Sequence, residues 1–197
     1  MARPRNSEIE TATTQRILDA AQAHFARLGY DAAKLADIAK DAGITRPSLL
    51  YHFESKEKLY NTVVEQVFAS LRQLFSGISN SETGFQSVVE MFTEAYVNFL
   101  EEHEHVPAIV IREFAGDSGR GQEIVLEQMV PVLDWVEKVL TETGKGAFRE
   151  GLPIRAAIMQ VASDATVRAM AKPIRDKLWG KKSQSVVLSG ILFFGNN

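Results

Sequence analysis

Residues 35–59, LADIAKDAGITRPSLLYHFESKEKL, restrict what this chain can fold into more than any other stretch. Leu35, Ile38, Ala39 and Ala42 recur at helical spacing, so a helix there presents one apolar face. Ala39 and Gly43 are small, as a close helix crossing requires, and Gly43 can take the left-handed conformation that ends a helix. Thr45 offers an N-cap hydroxyl to a second helix, and Pro47 falls in that helix's first turn, where a missing N–H costs nothing. Leu49 supplies the apolar contact back to the first helix. Helix, glycine turn, helix is the helix-turn-helix layout, whose second helix can enter the major groove of DNA.

The flanks extend this reading. Upstream, Thr13 to Leu28 is amphipathic, with Ile17, Leu18, Ala21, Phe25 and Leu28 on one stripe, and Gly29 stops it. It completes a three-helix core. Residues 1–10 begin as a flexible arm carrying Arg3, Pro4 and Arg5, which either adds charge only or enters a minor groove. Downstream, Ser55 caps another helix with Glu57 in its first turn. The apolar positions of that helix, Leu59, Val63, Val67, Leu71, Leu74 and Ile78, run further than a helix-turn-helix support needs. It therefore bridges into a second domain.

The remainder is helical by pattern, with no convincing strand. SNSETG (79–84) is a loop, and Phe85, Val88, Val89, Phe92, Tyr96, Phe99 and Leu100 mark a helix. A short helix follows Pro107, then a polar loop, GDSGRG at 116–121. Val125, Met129, Val132, Leu133, Val136 and Leu140 mark the next helix. After the turn at 144–153 come Ile154, Ala157, Ile158, Val161 and Ala165. Beyond Pro173 and Trp179-Gly180 lies a segment, SQSVVLSGILFF, that is apolar nearly all round yet too short to span a bilayer.

Charge and cysteine usage narrow the function classes. The 197 residues contain no cysteine, which excludes disulfides and thiolate metal sites and fits a reducing cytoplasm. The N-terminus has neither a signal-peptide nor a lipidation pattern, so a cytoplasmic protein with no membrane partner is expected. A net charge of −3 argues against nucleic acid until its distribution is considered. Residues 1–60 hold nine Lys/Arg against eight Asp/Glu, and residues 61–197 hold thirteen against seventeen. A DNA reader needs a basic face and not a basic total.

Catalytic and metal chemistry find little support. His103-Glu104-His105 has the wrong spacing, because helical metal pairs lie three or four apart. GDSGRG follows a helix and lacks the Lys-Ser/Thr of a phosphate loop. There is no nucleophile motif, and Asp164 with Arg168 reads as an ordinary surface pair. No enzyme, metal or cofactor is expected.

The motif residues resemble the TetR family of bacterial transcription regulators. The match lies in Ile38, Ala39, Ala42, Gly43, Ile44 and Thr45, then His52, Phe53, Ser55, Lys56 and Leu59, with Ile17 to Ala21, Phe25 and Leu28-Gly29-Tyr30 upstream. It covers roughly residues 13–60. Ala33 and Lys34 stand where the family usually has threonines, so the first helix of the motif must find another cap, with Asp31 a candidate. Ala36 replaces a basic residue and Leu50 a tyrosine that contact phosphates in relatives, and Lys34 can compensate for the missing threonines and for Ala36.

The resemblance implies an all-α protein. An N-terminal helix-turn-helix domain (1–60) would bind DNA, and a larger helical domain (61–197) would bind effector and dimerise. It implies a dimeric repressor on a palindromic operator, released by a small, hydrophobic effector. The alternative is control by a protein partner. Lys34, Thr45, Arg46, Pro47, Ser48, Tyr51, His52 and Lys56 are the expected DNA-binding residues, with Arg46 and Ser48 reaching base edges. Phe92, Tyr96, Phe99, Met129 and Trp135 are pocket candidates, with Gln86, Thr93, Asn98, Arg112 and Gln128 available to orient a ligand. Ile158, Val161, Ala165, Val187, Ile191 and Phe194 are candidates for the dimer interface.

Overall fold

The computed structural model describes residues 6–78, 84–116, 119–144, 147–148, 151–172, 174–180 and 185–194, with backbone alone for 6–9. The arm residues Arg3, Pro4 and Arg5, most of the 79–84 loop, Pro173 and parts of the 116–121 and 144–153 turns lie outside them. The described residues are helical, without a strand. In order they form α1 (Asn6–Ala32), α2 (Leu35–Asp41), α3 (Arg46–His52), α4 (Lys56–Ile78), α5 (Phe85–Glu102), α6 (Val106–Ala115), α7 (Arg120–Thr143), α8 (Ile154–Met170), α9 (Arg175–Trp179) and α10 (Ser185–Phe194).

The chain divides into two compact units, and the division is not one cut near residue 60. The first unit comprises Met1–Gln66 with Ala108–Val125, and the second Val67–Pro107 with Leu126–Asn197. The boundaries at 66/67 and 125/126 fall inside the continuous helices α4 and α7. Sequence patterning could not place α6 and the start of α7 with the first unit, because helical periodicity says which face is buried but not against what.

In the first unit Ile17, Phe25, Ile38, Leu49, Leu59 and Tyr60 are fully buried. α1 runs one helical course to a break at Gly29 (φ 77°), and Leu28 beside the break is more than a third exposed instead of joining the stripe. The α2–α3 turn is a Schellman motif. Ile44 N–H donates to Ala39 O at 2.9 Å and Gly43 N–H to Lys40 O at 3.0 Å, with Gly43 at φ 72°. α3 is capped as its sequence requires, Ser48 N–H donating to Thr45 Oγ1 at 3.3 Å. Ser55 Oγ accepts from Lys58 N–H at 3.0 Å and caps α4.

In the second unit, α10 packs on α5 and α8, and α5 on α8. Asp164 and Arg168 are not a surface pair. Both side chains are largely buried, with Arg168 Nε donating at 2.8 Å to the Asp164 oxygen that also accepts from Ser185 Oγ at 2.9 Å. The Arg168 guanidinium lies 5.2 Å from the Trp179 ring centre. Buried charges persist when paired and hydrogen-bonded, and this cluster ties α8 to the first residue of α10.

Candidate nucleic-acid interface

α3 has one buried anchor and an outward side. Leu49 is fully buried, whereas Arg46 and Pro47 are exposed, Ser48 is half-buried and Tyr51 is 78% exposed. An exposed aromatic hydroxyl, a hydroxymethyl and a guanidinium on one short helix are groups that donate to phosphates and base edges. Lys34 is also exposed. It occupies the N-cap of α2 in extended conformation and makes no side-chain cap. Asp31 does not serve as the missing cap. Instead Asp37 N–H and Ile38 N–H donate to Lys34 O at 3.1 and 3.2 Å, and Asp37 puts a carboxylate in the first turn.

Three expected contact residues are already engaged inside the unit. The Thr45 hydroxyl accepts from Ser48 N–H in the α3 cap. His52 is half-buried, with Nδ1 at 3.3 Å from the Thr14 hydroxyl on α1. Lys56 Nζ donates to Asp31 O at 3.0 Å and Ala33 O at 3.3 Å, and lies 4.6 Å from the Tyr30 ring centre. Two of its three protons are spent on carbonyls, so Lys56 braces the link between α1 and α2.

The platform behind the motif contains polar contacts that the sequence did not signal. His24 is buried, and its Nε2 lies 2.6 Å from Asp41 Oδ2 at the end of α2. The hydrogen bond from His24 holds the Asp41 carboxyl below the usual carboxylate range. On the other side, Glu113 of α6 accepts through Oε1 from the Tyr60 hydroxyl at 2.9 Å and Tyr30 N–H at 3.2 Å. Burial raises the Tyr60 phenol far above its ordinary value, and the charge of Glu113 adds to the effect. Arg112 Nε reaches Ala26 O at 3.3 Å, and Arg120 pairs with Glu57 at 3.0 Å. Segment 108–125 is thereby fastened to α1 and α4. Arg112, expected to orient a ligand, belongs to this fastening. Only Pro107 and the apolar run after it hinted at a packed helix here.

The second unit rearranges the pocket and interface candidates. Phe92 is buried, with its ring edge-on to Phe75 at 5.1 Å and to Trp135 at 5.9 Å. The Tyr96 hydroxyl bonds Thr166 Oγ1 at 2.9 Å, and burial raises its phenol pKa. Thr93 bonds its own helix, Gln86 bonds Glu90, and Gln128 accepts from Arg72. Phe92 is thus buried in the core of the second unit, while Tyr96, Trp135 and, on α7, Met129 are half-buried. Phe99 and Asn98 do meet at a groove of about 380 Å³ between α4 and α5.

Of the interface candidates, Val161 and Ala165 are buried within their own unit, and Ile158 and Phe194 are half-buried. Val187 and Ile191 are exposed at 59% and 45%. The outward stripe of α8 is instead Ala156, Gln160, Ser163, Val167 and Met170. Its most apolar stripe faces inward, and the small and polar residues are left outside. Among the described residues no group of His, Cys, Asp and Glu is arranged to hold a metal ion, and no helix is long and apolar enough to cross a membrane.

Residues 17–63, which hold this motif, match the family profile of bacterial regulatory proteins, tetR family. The helix-turn-helix region of the chain is of the TetR family. TetR proteins are regulators and not enzymes. The biofilm operon icaADBC HTH-type negative transcriptional regulator IcaR of Staphylococcus aureus (strain Newman) is 32% identical over 87 residues, 44% of this chain and 47% of that protein. Staphylococcus epidermidis IcaR is 42% identical over 53 residues, 27% of this chain and 29% of that protein. The matches span about half or less of these curated relatives. Among solved structures, the transcriptional regulator FadR from Bacillus subtilis in complex with stearoyl-CoA superposes with a TM-score of 0.74 at 18% identity, covering 93% of this chain and 99% of that one. A TetR-like transcriptional regulator from Rhodococcus sp. RHA1 gives 0.69 at 14% identity, covering 97% and 96%. At these identities the TetR fold is what is shared.

Proposed function

We propose that this protein is a transcriptional repressor that binds a two-fold symmetric DNA operator as a homodimer and leaves it on binding a small effector. The observation that carries the reading is the outward side of α3, with Arg46, Ser48 and exposed Tyr51 on a helix anchored by Leu49. Arg46 and Ser48 read base edges, while Lys34 and Tyr51 hold phosphates. Thr45, His52 and Lys56 keep the reading helix and the α1–α2 link in place, and Pro47 starts α3. The negative regulator IcaR supports repression, and the FadR complex with stearoyl-CoA supports a small, largely apolar effector.

For the dimer, a mate covers Val187 and Ile191 of α10 together with the outward stripe of α8, burying apolar side chains that otherwise face water. The working place of such a regulator is the cytoplasm. A second reading, control by a protein partner, draws on the packed state of Phe92 and Trp135 and on Met170, Ile174 and Leu178, exposed at 48%, 51% and 62%.

Selection of random-sequence duplexes by the full chain tests the first reading. Enriched sequences should carry inverted half-sites one helical turn, about 34 Å, or a multiple of it apart. Recovery of unrelated or unsymmetric sequences would overturn the operator reading.

A further inference from the structure

Asp41 and His24 each break the rule of the helix that carries them. Asp41 is the last residue of α2, where a carboxylate opposes the helix dipole that the neighbouring Lys40 suits. His24 lies on the buried face of α1, three residues after Ala21 and seven after Ile17, with 4% of its surface exposed. An apolar side chain there would leave water without needing a partner, whereas an imidazole must find one. The two meet, His24 Nε2 lying 2.6 Å from Asp41 Oδ2. On the other side of the ring, Arg27 Nη2 lies 3.4 Å from His24 Nδ1. A guanidinium only donates, so Nδ1 accepts and Nε2 carries the hydrogen that Asp41 receives.

We propose that His24 and Asp41 are positioning residues for DNA reading, their bond aiming α3 by fixing the end of α2 that leads into it. The inference rests on the reading that the outward side of α3 contacts base edges, and it adds what sets the aim. α2 has seven residues, buries only Ile38 and Ala39, and packs on both α1 and α3. Apolar contact is non-directional, so an isoleucine and an alanine leave α2 room to roll and slide on α1. A hydrogen bond requires both distance and angle, and it removes that freedom. Asp41 stands two residues before Gly43 and five before Arg46. The turn between is closed by Ile44 N–H on Ala39 O and Gly43 N–H on Lys40 O, so a displacement at Asp41 passes to the start of α3. The far end of α3 has its own tie to α1, His52 Nδ1 at 3.3 Å from the Thr14 hydroxyl. With both ends held, Arg46 and Ser48 meet base edges at one angle. Phosphate contacts from Lys34 tolerate a shift of α3, because a flexible ammonium stem follows its partner.

The test titrates the full chain with two duplexes, the sequence enriched from random pools and a scrambled duplex of the same length and composition. His24→Leu keeps the buried face of α1 apolar and leaves Asp41, whose side chain is 58% exposed, to water. It should lower the ratio of enriched to scrambled affinity about ten-fold, within the range that one mismatched base pair costs. Affinity for the scrambled duplex and its salt slope should stay as in the parent, because both come from phosphate contacts. Asp41→Ala should lower the ratio equally, and the double variant should lose no more than either. Asp41→Asn keeps an acceptor for His24 Nε2–H and should hold the ratio within about three-fold of the parent, as a neutral bond replaces a charge-assisted one. An unchanged ratio in either single variant, additive losses in the double variant, or equal losses on both duplexes overturns the inference while the operator reading stands. Should His24→Leu fail to fold, Asp41→Ala and Asp41→Asn decide, since that side chain is largely in water. If the parent itself does not distinguish the two duplexes, the operator reading falls and the inference with it.

Discussion

Glu113→Ala should destabilise the DNA-binding unit although residue 113 lies 54 positions beyond Leu59, where the motif ends. Glu113 Oε1 accepts from Tyr60 O–H at 2.9 Å and Tyr30 N–H at 3.2 Å. Hydrogen bonds to a charged acceptor contribute about 1.5–3 kcal/mol, with partial exposure of this carboxylate placing each near the lower end. Tyr60 is fully buried, so its hydroxyl would be left without a partner in a dry site. The expected loss is about 2–4 kcal/mol. Urea unfolding at fixed protein concentration measures it.

A double-mutant cycle with Tyr60→Phe isolates the shared bond, with an expected coupling of about 1–2 kcal/mol. Gly121 supplies a second handle. A Cβ there would come within 2.7 Å of Tyr30 Cβ and 2.8 Å of Glu113 Cδ. Gly121→Ala should therefore cost about 1–3 kcal/mol in the parent and less once Glu113 is alanine. Coupling near zero in both cycles would refute the claim that segment 108–125 is fastened to the reading unit through this carboxylate.

Other expectations follow from the same geometry. Arg46→Ala should cost about 1–3 kcal/mol of operator affinity and relax base preference at one position per half-site, while Lys34→Ala should weaken all duplexes alike and lower the salt slope by about one, both read by binding titrations across salt. Lys56→Ala should also lower the melting temperature, because it frees Asp31 O and Ala33 O; an unchanged melting temperature would return Lys56 to a pure phosphate role. The Tyr60 phenol has its folded pKa raised above the ordinary value of 10.0, so the stability it confers is complete below pH 10 and is lost as pH rises through the folded value. Tyr60→Phe should accordingly show a shallower decline of stability above pH 10 in equilibrium unfolding. Val187→Asp with Ile191→Asp should turn a dimer into a folded monomer by sedimentation, and a persistent dimer would move the interface elsewhere.

Legibility in the sequence followed the range of the interactions. Gly43, Thr45 and Ser55 were readable because a Schellman turn and two helix caps are local chemistry, fixed within a few residues. Ile17, Phe25, Ile38 and Leu49 were readable because periodicity identifies the face that must leave water. The same rule misplaced Val161 and Ala165. It selects the most apolar stripe of a helix, and in α8 that stripe satisfies the protomer's own core, leaving Ala156, Gln160 and Ser163 outside. Lys56 looked like a phosphate ligand because a lysine at a helix start is well placed for one. Its carbonyl partners lie more than twenty residues away, and no pattern announces them. Glu113 was invisible for the same reason.

How an effector could act on DNA follows from connectivity. The chain passes from one unit to the other at 66/67, 107/108 and 125/126, and all three crossings lie within helices, α4, α6 and α7. A helix transmits displacement because changing its course breaks backbone hydrogen bonds that have no other partner. Val67 and Leu71 are buried just beyond the first crossing, and Ile124 and Val125 just before the third. Close-packed side chains at both places move with their neighbours and do not absorb strain. A ligand bound to the second unit shifts the operator equilibrium only by its differential affinity for two arrangements of these crossings, and operator must weaken that ligand by the same factor. Loosening the fastening at Glu113 weakens the tie of segment 108–125 to α1 and α4, leaving it to Arg112, Arg120 and the buried Ile124 and Val125. The factor by which effector and operator oppose one another should then fall, even where the intrinsic affinity for each is preserved.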